Sequence, residues 1–187
     1  MPQRSTCMTL KILFYSAVLL IALLGYRSYA TAGELPKVGN FAPNFKLNDA
    51  QGKTHQLADY AGQYLVLYFY PKDDTPGCTK EACQFRDDLV QLEKLGAKVV
   101  GVSVDNSDSH ANFAKKYHLP FPLLSDIEGK VADSYGALSH LIVVKIAKRY
   151  TFLIDSQGKI AKVYTKVDTS KHSQQIIDDI NNIKNNH

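Results

Sequence analysis

Pro71-Lys72-Asp73-Asp74-Thr75-Pro76-Gly77-Cys78-Thr79-Lys80-Glu81-Ala82-Cys83 is the stretch on which the reading of this chain turns. It follows a nearly unbroken apolar run, Tyr64-Leu65-Val66-Leu67-Tyr68-Phe69-Tyr70, of the kind expected for a strand covered on both faces. Beyond it, Phe85, Leu89, Leu92 and Leu95 recur at helical spacing between charged positions, and Gly96 suits the end of a helix. A strand therefore delivers Cys78 to the first turn of a helix predicted over residues 76–95. Thr75 is a good N-cap residue and Pro76 fits the first helical position. Unpaired N–H groups and the positive end of the helix dipole then lie beside the Cys78 sulfur, and both favour thiolate over thiol. Asp73 and Asp74 would oppose this from close range, but as loop residues they are expected to face water. The competing reading of Cys78 is a small buried hydrophobe, the usual fate of a free cysteine.

Cys83 lies five residues further along the same helix. Positions five apart in an α-helix have Cα atoms about 8.5 Å apart, whereas a disulfide wants them within about 7 Å. The pair cannot be a resting bridge while the helix is intact, and it can bond if the helix unwinds locally. Two cysteines in an exported domain otherwise invite a structural-disulfide reading.

Outward from this stretch the elements alternate. Phe45-Lys46-Leu47 and Thr54-His55-Gln56-Leu57 flank a turn at Asp49-Ala50-Gln51-Gly52 and read as an N-terminal hairpin. Residues 98–104 read as a second buried strand, and residues 107–117 as a helix capped by Ser107 or Asp108 with Phe113 and Tyr117 inward. Leu123-Leu124 suggests a short strand. Residues 150–155 and 160–164 form a hairpin, and Thr169 or Ser170 caps a last helix carrying Ile176, Ile177, Ile180 and Ile183. Alternating strands and helices imply an α/β three-layer sandwich with a mixed central sheet. The segment 136–146 is apolar and is expected as a short helix, a dimer face or a membrane-facing patch.

The first 32 residues read as a targeting segment. Arg4 and Lys11 precede an apolar run from Ile12 to Leu24, and Ala30-Thr31-Ala32 resembles a cleavage site. The run is short for a spanning helix, which needs about 20 residues, although an uncleaved anchor over residues 12–26 is the alternative. The domain is then residues 33–187, exported to the periplasm. The formal charge of +4 belongs largely to the leader. Without Arg4, Lys11 and Arg27, 19 basic residues face 18 acidic ones, which gives no basis for nucleic-acid binding. The six histidines are scattered, and none sits at metal-ligand spacing with both cysteines.

Pro71, Thr75 and Cys78 form the pattern P-x-x-x-T-x-x-C, which resembles the active-site motif of peroxiredoxins. The fuller string Tyr70 to Thr79, with Glu81-Ala82-Cys83, resembles the bacterioferritin-comigratory (PrxQ-like) subfamily of atypical two-cysteine type. Phe85-Arg86-Asp87, Asp126, Tyr135-Gly136 and Arg149 support the match across residues 37–183. The resemblance implies a thioredoxin-like fold with an N-terminal extension. It implies that Cys78 is the peroxidatic cysteine and Cys83 the resolving one. Thr75 would position peroxide, Pro71 would shield the sulfenic acid, and Arg149 would hold a positive charge near the sulfur. It further implies a hydroperoxide substrate, a thioredoxin-like dithiol reductant, no metal, haem or flavin, and a monomer with a weak dimer as alternative. A thiol–disulfide oxidoreductase normally uses Cys-x-x-Cys and is the rival enzyme; a non-catalytic redox sensor is the rival from another class. Arg86 is expected either near Cys78 or paired with an exposed acid, and Glu81 either on the helix surface or in proton transfer.

Overall fold

The computed structural model describes residues 33–141 and 144–185; the targeting segment expected over residues 1–32 lies outside them. Five strands make the central sheet in the order β5 (Leu123–Ser125), β4 (Ala97–Ser103), β3 (Tyr64–Phe69), β8 (Tyr150–Ile154), β9 (Ile160–Tyr164). β3 runs parallel to β4 and β4 to β5, whereas β8 is antiparallel to both β3 and β9. The sheet is therefore mixed, and β3, the apolar run, is its centre.

Successive side chains of β3 point to opposite faces, and each face has its own core. Val66, Tyr68 and Tyr70 pack with Cys78, Ala82 and Phe85 of helix α1 (Pro76–Asp87), Leu92 of α2 (Leu89–Lys94), Phe113 of α3 (Ser107–Tyr117) and Ile176, Ile177 and Ile180 of α5 (His172–Asn185). Leu65, Leu67 and Phe69 pack on the other face with Phe45, Phe152, Ala132 of α4 (Lys130–Ser134), Tyr135, Leu138 and Ala147. Gly101 of β4 makes room for Tyr68: a Cβ there would lie 2.8 Å from the phenol oxygen. The N-terminal hairpin, β1 (Lys46–Asn48) with β2 (Thr54–Gln56), forms a separate two-stranded sheet. A bridge between Asp49 and Leu124 ties it to the edge of the main sheet.

Three details differ from the sequence-based expectation. The predicted helix 76–95 is two helices, broken at Asp88 (φ −95°, ψ 5°), whose carboxylate accepts a 2.5 Å hydrogen bond from the Ser173 hydroxyl. The cap of α3 is Asn106, whose side-chain oxygen accepts from Ser109 N–H at 2.9 Å; Ser107 and Asp108 are already inside the helix. Of the readings offered for the apolar segment 136–146, the helix is replaced by strands. β6 (Leu138–Leu141) pairs antiparallel with β7 (Val144–Ala147), in keeping with its β-branched content, which disfavours helix and suits a pleated surface. Among the described residues, no helix is long and apolar enough to cross a membrane.

Candidate active site

β3 ends at Phe69, the chain turns through residues 70–75, and α1 starts at Pro76. Thr75 occupies the cap position with extended backbone (φ −88°, ψ 150°). Its hydroxyl does not cap the helix but donates to the Lys72 carbonyl at 3.0 Å, which closes the turn. Pro71 is half-buried at the mouth of this turn. The first intrahelical bond runs from Thr79 N–H to Thr75 C=O at 2.8 Å. The amides of Gly77 and Cys78 thus belong to the open, positive end of the helix. Cys78 is 1% exposed and Cys83 is half-buried; both are free thiols, as the spacing requires.

Arg149 sits between β7 and β8. Because Tyr150 pairs with Phe69 at the end of β3, the residue before Tyr150 is carried to the start of α1. Arg149 Nη2 donates to Cys78 Sγ at 3.3 Å, and its Nη1 donates to Glu81 Oε2. Its Nη2 also lies 3.2 Å from where a Cβ on Gly77 would be, so a side chain at 77 would crowd the guanidinium. Burial works against the charge of Arg149, but Glu81 and the Cys78 sulfur outweigh it and hold the guanidinium protonated.

Glu81 is fully buried, so its alternative placement on the helix surface is wrong. Three residues after Cys78, it shares that face of α1. Burial pushes its carboxyl up to about 7, against the pull of Arg149. Glu81 Oε1 and the Tyr68 hydroxyl are buried without a hydrogen-bond partner among the described residues. Burial first, then Glu81 and Cys78, holds the Tyr68 phenol far above its ordinary value, so it stays neutral.

Asp73 does not face water. It is buried, and it accepts hydrogen bonds from Tyr70 Oη at 2.7 Å, Ser109 Oγ at 2.7 Å and His110 Nδ1 at 2.8 Å. Its own N–H donates to Asp105 Oδ2 at 2.9 Å. Asp74 is exposed and pairs with Lys116 and Tyr117. Arg86 takes the second of its two expected places: it donates to Asp87 at 2.8 Å and to the Tyr117 carbonyl at 2.7 Å.

Behind α1, His172 is buried, its Nε2 2.8 Å from Thr151 Oγ1 and its ring edge-on to Phe85. Burial pushes the imidazole down to about 4. Glu81 and His172 therefore act on stability in opposite directions. A carboxyl raised from 4.5 to about 7 stabilises most below pH 4.5 and loses that contribution as pH rises to about 7. An imidazole lowered from 6.5 to about 4 stabilises most above pH 6.5 and loses that contribution as pH falls to about 4. Denaturant unfolding from pH 4 to 8 checks both. The stability of wild type relative to Glu81→Gln is expected to decline with rising pH, and relative to His172→Gln to increase. Parallel curves for either pair would contradict the assignment.

A buried thiol at a helix start, paired with a guanidinium from a neighbouring strand on a thioredoxin-like sheet, defines a thiol-based redox protein. The AhpC/TSA family model matches residues 38–163, and the chain belongs to that family. Over 142 residues it is 42% identical to peroxiredoxin Bcp of Bacillus subtilis, covering 73% of this chain and 89% of the relative. The crystal structure of peroxidoxin BcpB from Mycobacterium tuberculosis superposes with a TM-score of 0.75 at 34% identity, over 79% of this chain and 98% of that one. The bacterioferritin comigratory protein of Xanthomonas campestris, described for its alkyl peroxide reduction activity, gives a TM-score of 0.72 at 31% identity, over 79% and 99%.

Proposed function

We propose that this peroxiredoxin is a thiol peroxidase in which Cys78 is oxidised by a hydroperoxide and Cys83 resolves the product. The observation that carries the assignment is the Arg149 guanidinium 3.3 Å from the sulfur of Cys78 at the start of α1. The Cys78 thiolate attacks the terminal oxygen of the hydroperoxide. An S–O bond forms, the O–O bond breaks, and the remaining oxygen leaves as water or an alcohol once protonated. Charge develops on the departing oxygen, and Arg149 with the helix amides is placed to stabilise it. The Cys83 sulfur then displaces the sulfenic oxygen as water, forming a Cys78–Cys83 disulfide, which a thioredoxin-like dithiol reduces. Thr75 and Pro71 shape the mouth through which peroxide arrives. Kinship with peroxiredoxins supports this reading over the oxidoreductase and sensor alternatives.

Intact-mass analysis after one equivalent of hydrogen peroxide tests it. Wild type is expected to lose two hydrogens and both titratable thiols. Cys83→Ser is expected to gain one oxygen and, with further peroxide, two more as sulfinic and sulfonic acids. Normal turnover of Cys83→Ser with the same dithiol would remove Cys83 from the scheme. A substrate range that includes alkyl hydroperoxides is supported by the activity described for the Xanthomonas campestris protein.

Export is our reading of residues 1–32, supported by the charged start, apolar core and small-residue exit of that segment. A mature N-terminus at residue 33 in material recovered from the periplasm is the expected result; an intact Met1 there favours anchoring through residues 12–26.

A further inference from the structure

The segment that carries both cysteines is held at its two ends by one residue of another helix. On the near side, Asp74 adopts a left-handed backbone conformation (φ 56°), unusual for a residue other than glycine. Its carboxylate accepts from Tyr117 Oη at 2.6 Å and from Lys116 Nζ at 2.7 Å. On the far side, three residues beyond Cys83, Arg86 Nη1 donates to the backbone carbonyl of Tyr117 at 2.7 Å. That carbonyl lies at the C-terminal end of α3, where carbonyls lack helical partners. The ring between these two attachments is fixed edge-on against Phe113, with centroids 5.3 Å apart. The buried bonds of Asp73 to Ser109 and His110 fasten the same loop to the other end of α3.

We propose that Tyr117 is a positioning residue that sets how readily the Cys78–Cys83 segment unwinds, and so the rate of disulfide formation relative to peroxide attack. The inference rests on Cys83 as resolving residue. Attack needs the intact helix, with Cys78 against Arg149. Resolution needs the helix open, because the two Cα atoms are too far apart for a disulfide within it. A bracket from residue 74 to residue 86 favours the closed form. Weakening it leaves the closed form dominant in the reduced protein but raises the open fraction, and resolution draws on that fraction.

Tyr117→Phe removes the hydroxyl bond to Asp74 and keeps the ring and the carbonyl. With rapid mixing and acid quench, intact mass follows sulfenic acid and disulfide separately in the purified protein. Tyr117→Phe is expected to form the disulfide about fivefold faster, the effect of a single hydrogen bond, while the rate of sulfenic acid formation stays within about twofold. The over-oxidised fraction at high peroxide is expected to fall in step. Lys116→Met, which removes an exposed ion pair, is expected to act in the same direction by about twofold, and it decides the matter if Tyr117→Phe does not fold. A change in overall stability alone would not separate the two steps. Disulfide formation at or below the wild-type rate in the folded variants overturns the proposal. Failure of the wild type to form any disulfide overturns the assignment of Cys83 on which it rests.

Discussion

Cys78→Ser is expected to consume hydrogen peroxide no faster than free cysteine and to keep its Cys83 thiol. The hydroxyl of serine has almost the shape of the thiol and little of its acidity, so Arg149 and the helix amides would surround a group that stays protonated and does not attack. The change leaves the core nearly intact, since position 78 packs among Val66, Tyr68, Ala82 and Phe85 and serine is slightly smaller. Loss of activity with an unchanged melting temperature therefore points to chemistry and not to folding. Stopped-flow peroxide consumption, alongside thermal unfolding, measures both. Rapid loss of the remaining Cys83 thiol would transfer the peroxidatic role to that cysteine.

Arg149→Met is expected to lower both rate and stability, for separable reasons. A fixed donor aimed at developing charge contributes about 10²–10³ in rate at such sites, and methionine supplies none. The stability loss comes from the partner: Glu81 is fully buried, and removing one member of a buried ion pair costs about 3–5 kcal/mol. Arg149 retains 23% side-chain exposure, and the Glu81 carboxyl, already raised to about 7, can take up a proton, so the cost falls below that range. Without its guanidinium neighbour the Glu81 carboxyl moves further above 7 and becomes neutral more readily. The double variant Arg149→Met/Glu81→Gln separates the two effects. Stability is expected to return in large part, while the rate with peroxide stays low. Recovery of the rate in the double variant would mean that Arg149 serves only to neutralise Glu81.

How much of this was legible from residues alone depended on the range of the interaction. The strand–turn–helix that presents Cys78 is local, written in an apolar run, a proline at the first helical position and a periodic face, and it could be read directly. The separation of Cys78 and Cys83 followed from helix geometry. Arg149 was placed by the family resemblance, and sheet register is what brings it to Cys78: Tyr150 opposite Phe69 fixes its neighbour. Asp73 was misread, because a Lys-Asp-Asp run in a turn looks solvated and nothing nearby announces Ser109 and His110, more than 30 residues away. Glu81 could have been read better, since a position three after Cys78 must share its buried face. The hairpin of β6 and β7 was ambiguous because a short apolar run carries no periodicity that separates strand from helix. The break at Asp88 leaves no mark in the periodicity of Phe85, Leu89, Leu92 and Leu95, which runs through it.

The partner of Cys78 is drawn from 71 residues downstream, and it reaches the sulfur only when β8 has paired with β3. During synthesis the thiol emerges long before the arginine exists, and closing so long a loop carries an entropic cost that must be met before the pairing is stable. On the role proposed for Cys78, the nascent thiol lacks its guanidinium partner until β8 has been made and has paired with β3. On that role, peroxide sensitivity is a sign of completed folding: a chain that is truncated, or stalled before β8, lacks the arginine that contacts Cys78.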